Sequence, residues 1–109
     1  MVNIRKITSV EDYNEFIKKS DSVNIVKFYA DWCGPCKVLT DKIVNLNPDK
    51  LNNVFFGEVN VDNEDFDSVC SELGIRGIPV LAYFKNGVLV NKSVGLVNDN
   101  DIYTAIEKC

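Results

Sequence analysis

Two of the four cysteines in this 109-residue chain stand three positions apart, in Trp32-Cys33-Gly34-Pro35-Cys36. A C-x-x-C pair serves either as half of a zinc site or as a dithiol that closes to a disulfide and reopens. Structural zinc takes four ligands, and the chain has no histidine and no second C-x-x-C, so no metal site is expected and redox work is favoured. Residues three apart on a helix lie on one side, a spacing that a disulfide spans with little backbone movement.

The reactivity depends on the element that carries the pair. Val23 to Ala30 is an apolar run that reads as a buried strand, and Pro35 to Leu46 follows with Val38, Leu39, Ile43 and Leu46 at helical spacing. Pro35 suits a first helical position, where no amide donor is needed. The motif therefore falls where a strand hands over to a helix. Unpaired amides and the macrodipole at a helix start favour an anion, so Cys33 is the expected nucleophile, with a lowered pKa. Cys33 is also expected to be the more exposed thiol and the first to be alkylated. Cys36, one turn further in, is the expected resolving thiol. The Cys33 thiolate attacks a target disulfide, and Cys36 then attacks Cys33 to release the reduced target, leaving a Cys33–Cys36 disulfide.

The rest of the chain must position this handover. Asn3 to Ile7 is a short alternating run, and Thr8 with Glu11 offers a capping box for a helix through Lys19, its stripe formed by Val10, Tyr13, Phe16 and Ile17. Val54 to Val61 reads as a third strand, after which Asp62 or Asn63 caps a helix to Leu73 and Gly74 ends it. Val80 to Lys85 and Val88 to Val94 flank Asn86-Gly87, a strong hairpin signal. Asn98 with Asp101 opens a last helix, with Ile102, Ala105 and Ile106 facing inward. Strands joined through helices early and by a tight turn late predict an α/β fold, one central mixed β-sheet flanked by helices on both faces. No repeat or linker interrupts the chain, so residues 1–109 are expected to form one domain.

Apolar residues make up 46% and charged residues 26%, the balance of a soluble globular protein. The net charge of −4 comes without a basic run, which excludes the electrostatic footprint of a nucleic-acid binder. No window approaches the roughly eighteen apolar residues of a membrane span, and Met1 to Val10 holds no apolar stretch of signal-peptide length. No membrane partner and a cytoplasmic address are expected.

Over essentially its whole length the sequence resembles the thioredoxin family. Val26 to Lys37, V-K-F-Y-A-D-W-C-G-P-C-K, is similar to the family's active-site strand and helix start. Gly74-Ile75-Arg76-Gly77-Ile78-Pro79 resembles its cis-proline loop, Phe84-Lys85-Asn86-Gly87 its hairpin, and Gly95 its last groove glycine. The resemblance implies the thioredoxin fold and a thiol-disulfide oxidoreductase that reduces protein disulfides as a monomer. It also implies no bound cofactor, reducing equivalents coming from an external, NADPH-dependent thioredoxin reductase. Pro79 is then cis and beside Cys33, the Ile78 backbone pairs with an extended substrate segment, and Trp32 shields the site. A cis X-Pro bond turns the chain sharply and removes an amide, leaving an edge open to strand-like pairing. Gly77 and Gly95 leave room for the peptide backbone. Gly34-Pro35 between the cysteines resembles reductases, whereas oxidising or isomerising relatives usually carry a His there.

Lys27 departs from the family pattern, standing where thioredoxins usually carry a buried Asp thought to help move the Cys36 proton. Glu58 lies on the third strand, beside the second in the family's sheet order. The two are expected to form a buried pair, with Glu58 relaying the proton. Asp31 and Lys37 flank the motif, at strand and helix ends where charges are ordinarily solvated. Cys70 reads as a small buried hydrophobe of the third helix. Cys109 reads as an exposed, frayed thiol open to oxidation between molecules. The competing reading is a binding module whose redox state only switches affinity.

Overall fold

The strand Val23–Tyr29 (β2) is buried from Asn24 to Phe28, so its side chains must be covered on both faces. A computed structural model describing residues 1–109 shows how. On one side β2 pairs in parallel with Val54–Asn60 (β3), which pairs in parallel with Ile4–Lys6 (β1). On the other it pairs antiparallel with Val80–Lys85 (β4), which continues antiparallel into Val88–Val94 (β5). The sheet order is β1-β3-β2-β4-β5, a five-stranded mixed sheet.

The period of two along each strand divides the core. Val26 and Phe28 join Val59, Ala82 and Phe84 on one face, covered by Tyr13, Phe16 and Ile17 of the helix Val10–Ile17 (α1) and by Phe66. The helix Asp67–Leu73 (α3) packs here through half-buried Val69, Cys70 and Leu73. Ile25, Phe56, Leu81 and Tyr83 form the opposite face, under Leu39 and Ile43 of Gly34–Val44 (α2) and Ile102 and Ala105 of Asp99–Glu107 (α4). Helices thus cover both faces.

Local signals account for most boundaries. Asn98 and Asp101 form the capping box of α4, Gly74 ends α3 at φ 68°, and Asn86 and Gly87 take the positive φ of a two-residue hairpin turn. Several boundaries correct the sequence reading. Ser9, not Thr8, caps α1 by accepting the Asp12 N–H, and the helix stops at Ile17, short of Lys19. α2 ends at Val44, two residues before Leu46, and its Val38 is exposed; the buried stripe is Cys36, Leu39 and Ile43. Asn63 caps a 3-10 turn, Glu64–Phe66, from which α3 then starts. Cys109 is half-buried against the α2/α4 face rather than exposed, with its thiol donating to the Ala105 carbonyl.

Candidate active site

β2 ends at Tyr29, and the chain turns through Ala30 to Trp32 before α2 begins. Cys33 itself is the N-cap residue, in extended conformation at φ −92°, ψ 107°, with Pro35 in the first turn. An N-cap side chain accepts from amides that have no partner inside the helix. Here the Cys33 sulfur takes that place, accepting the Cys36 N–H at 3.2 Å. Cys33 and Cys36 are joined as a disulfide with Cα atoms 5.3 Å apart. Both are buried, Cys33 at 4% exposure and Cys36 at 1%, so the two differ little in accessibility.

The loop before β4 closes on the pair. The Ile78–Pro79 bond is cis, Pro79 is buried, and half-buried Ile78 packs against the cluster of Ala30, Cys33 and Cys36. The Pro79 carbonyl accepts the N–H of Gly95, which holds φ 85°, at 2.8 Å. A Cβ at Gly77 would meet nothing within 4 Å, so the backbone there faces open space, as at Gly34. Beside this loop runs a groove of about 590 Å³ whose lining includes Trp32, Gly77 and Ile78 together with Val61, Cys70 and Ile75. Trp32 is 71% exposed, and its indole N–H donates to Asp62 at 2.9 Å. Cys70 is half-buried, packing against the core on one side and lining the groove on the other; burial and Asp67 push its thiol pKa up.

Behind the disulfide lies a second, polar cavity of about 190 Å³, lined by Cys36 together with Lys27, Tyr29, Thr40 and Glu58. Lys27 is 2% exposed. In the parallel register it stands opposite Glu58, whose other neighbour across the sheet is Lys6. The Lys27 ammonium is 3.4 Å from Glu58 Oε1, donates to Thr40 Oγ1, and lies 4.6 Å from the centre of the Tyr29 ring. Thr40 in turn donates to the Cys36 carbonyl at 3.1 Å. Burial lowers the Lys27 pKa, and Glu58 opposes that shift. Asp31 and Lys37, both exposed, line the mouth of this cavity and have no ion-pair partner.

Sequence reasoning missed Thr40 and Asp62. Thr40 is signalled only by lying four residues after Cys36, on the same helix side. Asp62 has no sequence signal linking it to Trp32, thirty residues away.

The family model for thioredoxin matches residues 4–108. The chain belongs to the thioredoxin family. It is 34% identical over 103 residues to the thioredoxin of Chlamydia caviae, which covers 94% of this chain and 96% of that protein. Its fold is similar to that of oxidised thioredoxin from Plasmodium falciparum, with a TM-score of 0.79 and 28% identity over 97% of each chain. It is also similar, with a TM-score of 0.81 and 25% identity over 98% of this chain and 96% of the other, to a chain from a structural study of the thiol resolving mechanism in yeast mitochondrial 1-Cys peroxiredoxin via glutathione/thioredoxin systems. Membership of the thioredoxin family and the Cys33–Cys36 pair at disulfide distance make this a thiol-disulfide oxidoreductase acting on proteins. Thioredoxins work without a bound cofactor. No group of three or more metal-ligating side chains is assembled in the fold, and no helix is long and apolar enough to cross a membrane.

Proposed function

We propose that the protein reduces disulfides of other proteins, with Cys33 as the attacking thiolate and Cys36 as the resolving thiol. The observation that carries this is the position of Cys33 as N-cap of α2, with its sulfur on the Cys36 amide. A thiolate there is stabilised by a hydrogen bond and by the positive end of the helix. In the dithiol form the Cys33 thiolate attacks a target disulfide; one Cys33–target S–S bond forms and one target thiolate leaves. Cys36 then loses its proton, attacks the Cys33 sulfur, and expels the second target thiolate. Two electrons pass to the target, and the Cys33–Cys36 disulfide is the product.

The substrate groove comprises Gly77, Ile78, Pro79 and Gly95, with Trp32 at its side and Gly34 and Pro35 shaping the helix start. An extended peptide segment pairs with the Ile78 backbone, a reading supported by the open space before Gly77 and the packing of Ile78 on the disulfide. Disulfide-containing proteins are the substrates, and the similarity to a chain studied with a peroxiredoxin supports thiol peroxidases as one class. An NADPH-dependent thioredoxin reductase returns the disulfide to the dithiol. The protein acts as a monomer, residues 1–109 working as one domain. Its compartment is the cytoplasm, a reading supported by Cys70 and Cys109 being free thiols.

Reduction of insulin disulfides by dithiothreitol, followed by turbidity, tests this reading. Catalytic amounts of the protein should accelerate precipitation, and Cys36→Ser should instead trap targets as mixed disulfides. A protein that accelerates nothing is a binding module.

A further inference from the structure

The resolving step leaves one proton to be placed. Cys36 is 1% exposed and sits behind the disulfide, so solvent has little access to its thiol. Its proton must go to a group in the polar cavity that Cys36 shares. From β1 that cavity receives Lys6, from β2 Lys27 and Tyr29, from the loop after β2 Asp31, from α2 Lys37, and from β3 Glu58. The three lysines are cations, and a phenol whose pKa burial and Glu58 raise, as at Tyr29, stays neutral and accepts no proton. Two carboxylates remain. Asp31 is exposed on its loop, whereas the Glu58 side chain is 12% exposed and 3.4 Å from the buried Lys27 ammonium.

The geometry points to Glu58 as the base that takes the Cys36 proton, with Lys27 as the fixed cation beside it and Thr40 as a positioning residue. The inference rests on Cys36 being the resolving thiol. The transfer is balanced: Cys36–SH and Glu58 carboxylate become Cys36 thiolate and Glu58 carboxylic acid. The thiolate then forms its bond to Cys33 while the Cys33–target bond breaks. The charge inside the cavity does not change during the transfer. Lys27 begins with the carboxylate as counter-anion and ends with the thiolate, so no uncompensated charge appears at low dielectric.

Thr40 supplies the register. Its hydroxyl accepts from Lys27 Nζ and donates to the Cys36 carbonyl, so the cation is tied to the helix turn that carries the resolving sulfur. Burial lowers the Lys27 pKa against the pull of Glu58, which makes the ammonium depend on a neighbouring anion throughout the step. The cavity is roomy enough for water, and a water with partners on both sides would carry the proton across any gap.

Ellman's disulfide separates attack from resolution on a single trace. One equivalent is mixed with the reduced full-length protein under stopped flow. The first thionitrobenzoate is released by Cys33, and the second when Cys36 resolves the mixed disulfide. Glu58→Gln should leave the first phase unchanged and slow the second roughly a hundredfold near neutral pH, the scale of a lost general base. The second phase of the variant should become first order in hydroxide, and Glu58→Asp should restore part of the rate. Thr40→Val, at a half-buried position, should slow the second phase alone by a smaller factor, and it reads the same path if Glu58→Gln folds poorly. An unchanged second phase and pH profile in Glu58→Gln and Thr40→Val would overturn the proposal, as would equal slowing of both phases. Absence of a second release in the unmodified protein would instead overturn the assignment of Cys36 itself.

Discussion

The backbone N–H of Cys36 points at the sulfur of Cys33 across 3.2 Å, so the first turn of α2 solvates the sulfur that begins it. The two residues differ by only three percentage points in exposure, 4% against 1%. The expected preference of iodoacetamide for Cys33 in the reduced protein therefore rests on acidity and not on access. Peptide mapping after brief alkylation should find Cys33 modified first, with a rate that levels off at a pH below the ordinary thiol range. Alkylation of Cys36 first, or a Cys33 rate still rising above that range, would remove the helix N-terminus as the activating element.

The hairpin turn, the last helix cap and the strand-to-helix handover were legible because local chemistry sets them. Asn86-Gly87 forms its turn, Asn98-Asp101 its capping box, and Cys33 to Cys36 falls at the strand-to-helix handover. Illegible features depend on groups distant in sequence or on competition between equivalent neighbours. Thr8 and Ser9 are both good caps, and it is Ser9 that takes the extended N-cap conformation, φ −132°, ψ 153°, and accepts the Asp12 N–H. Asn24 lies inside β2 as a polar residue in an apolar run. It is wholly buried because its amide donates to the Ile17 and Lys19 carbonyls at the end of α1, a contact with no periodicity to announce it. Val38 matches the helical apolar pattern yet faces solvent, since the stripe that reaches the sheet is fixed by Cys36.

Trp32 is the sole tryptophan, so intrinsic fluorescence reports its surroundings directly. Its bond to Asp62 is the one side-chain hydrogen bond of that indole. Asp62→Ala should shift the emission and lower its steady-state anisotropy, because the exposed ring loses its tether. Stability should change by less than about 1 kcal/mol, as for a solvent-exposed polar contact. The activity change should appear mainly in KM for a protein disulfide. An unaltered anisotropy would show that Asp62 does not hold the ring.

Lys27 and Glu58 face each other in the β2–β3 register, in a layer otherwise filled by Ile25, Phe56 and Leu81. Removing one member strands the other, so Lys27→Met should cost on the order of 3–5 kcal/mol in urea. Lys27→Met combined with Glu58→Leu should recover much of that loss, because an apolar pair suits the layer. A double-mutant cycle with coupling near zero would show that the two charges do not interact in the folded protein.

Alkaline pH should weaken the oxidised protein, and the sign follows from which state holds protons more tightly. Burial raises the pKa of Cys70 and Cys109 above their ordinary 9.0 and of Tyr13, Tyr29 and Tyr83 above 10.0. For each, the unfolded chain gives up its proton first. The stability contribution is whole below the unfolded value and is lost as pH rises through the folded one. Lys27, lowered from 10.5 by burial, acts oppositely: between its folded and unfolded values the unfolded chain holds the proton, so stability rises with pH there. Five groups oppose one, and in the unfolded chain the two thiols, ordinarily at 9.0, titrate before the tyrosines at 10.0. The urea midpoint should therefore begin to fall near pH 9, and the Cys70→Ala, Cys109→Ser double variant should delay that onset toward the tyrosine range. A midpoint that stays level from pH 8 to about 11, or a double variant with an unmoved onset, would show that these thiols are not held neutral by the fold.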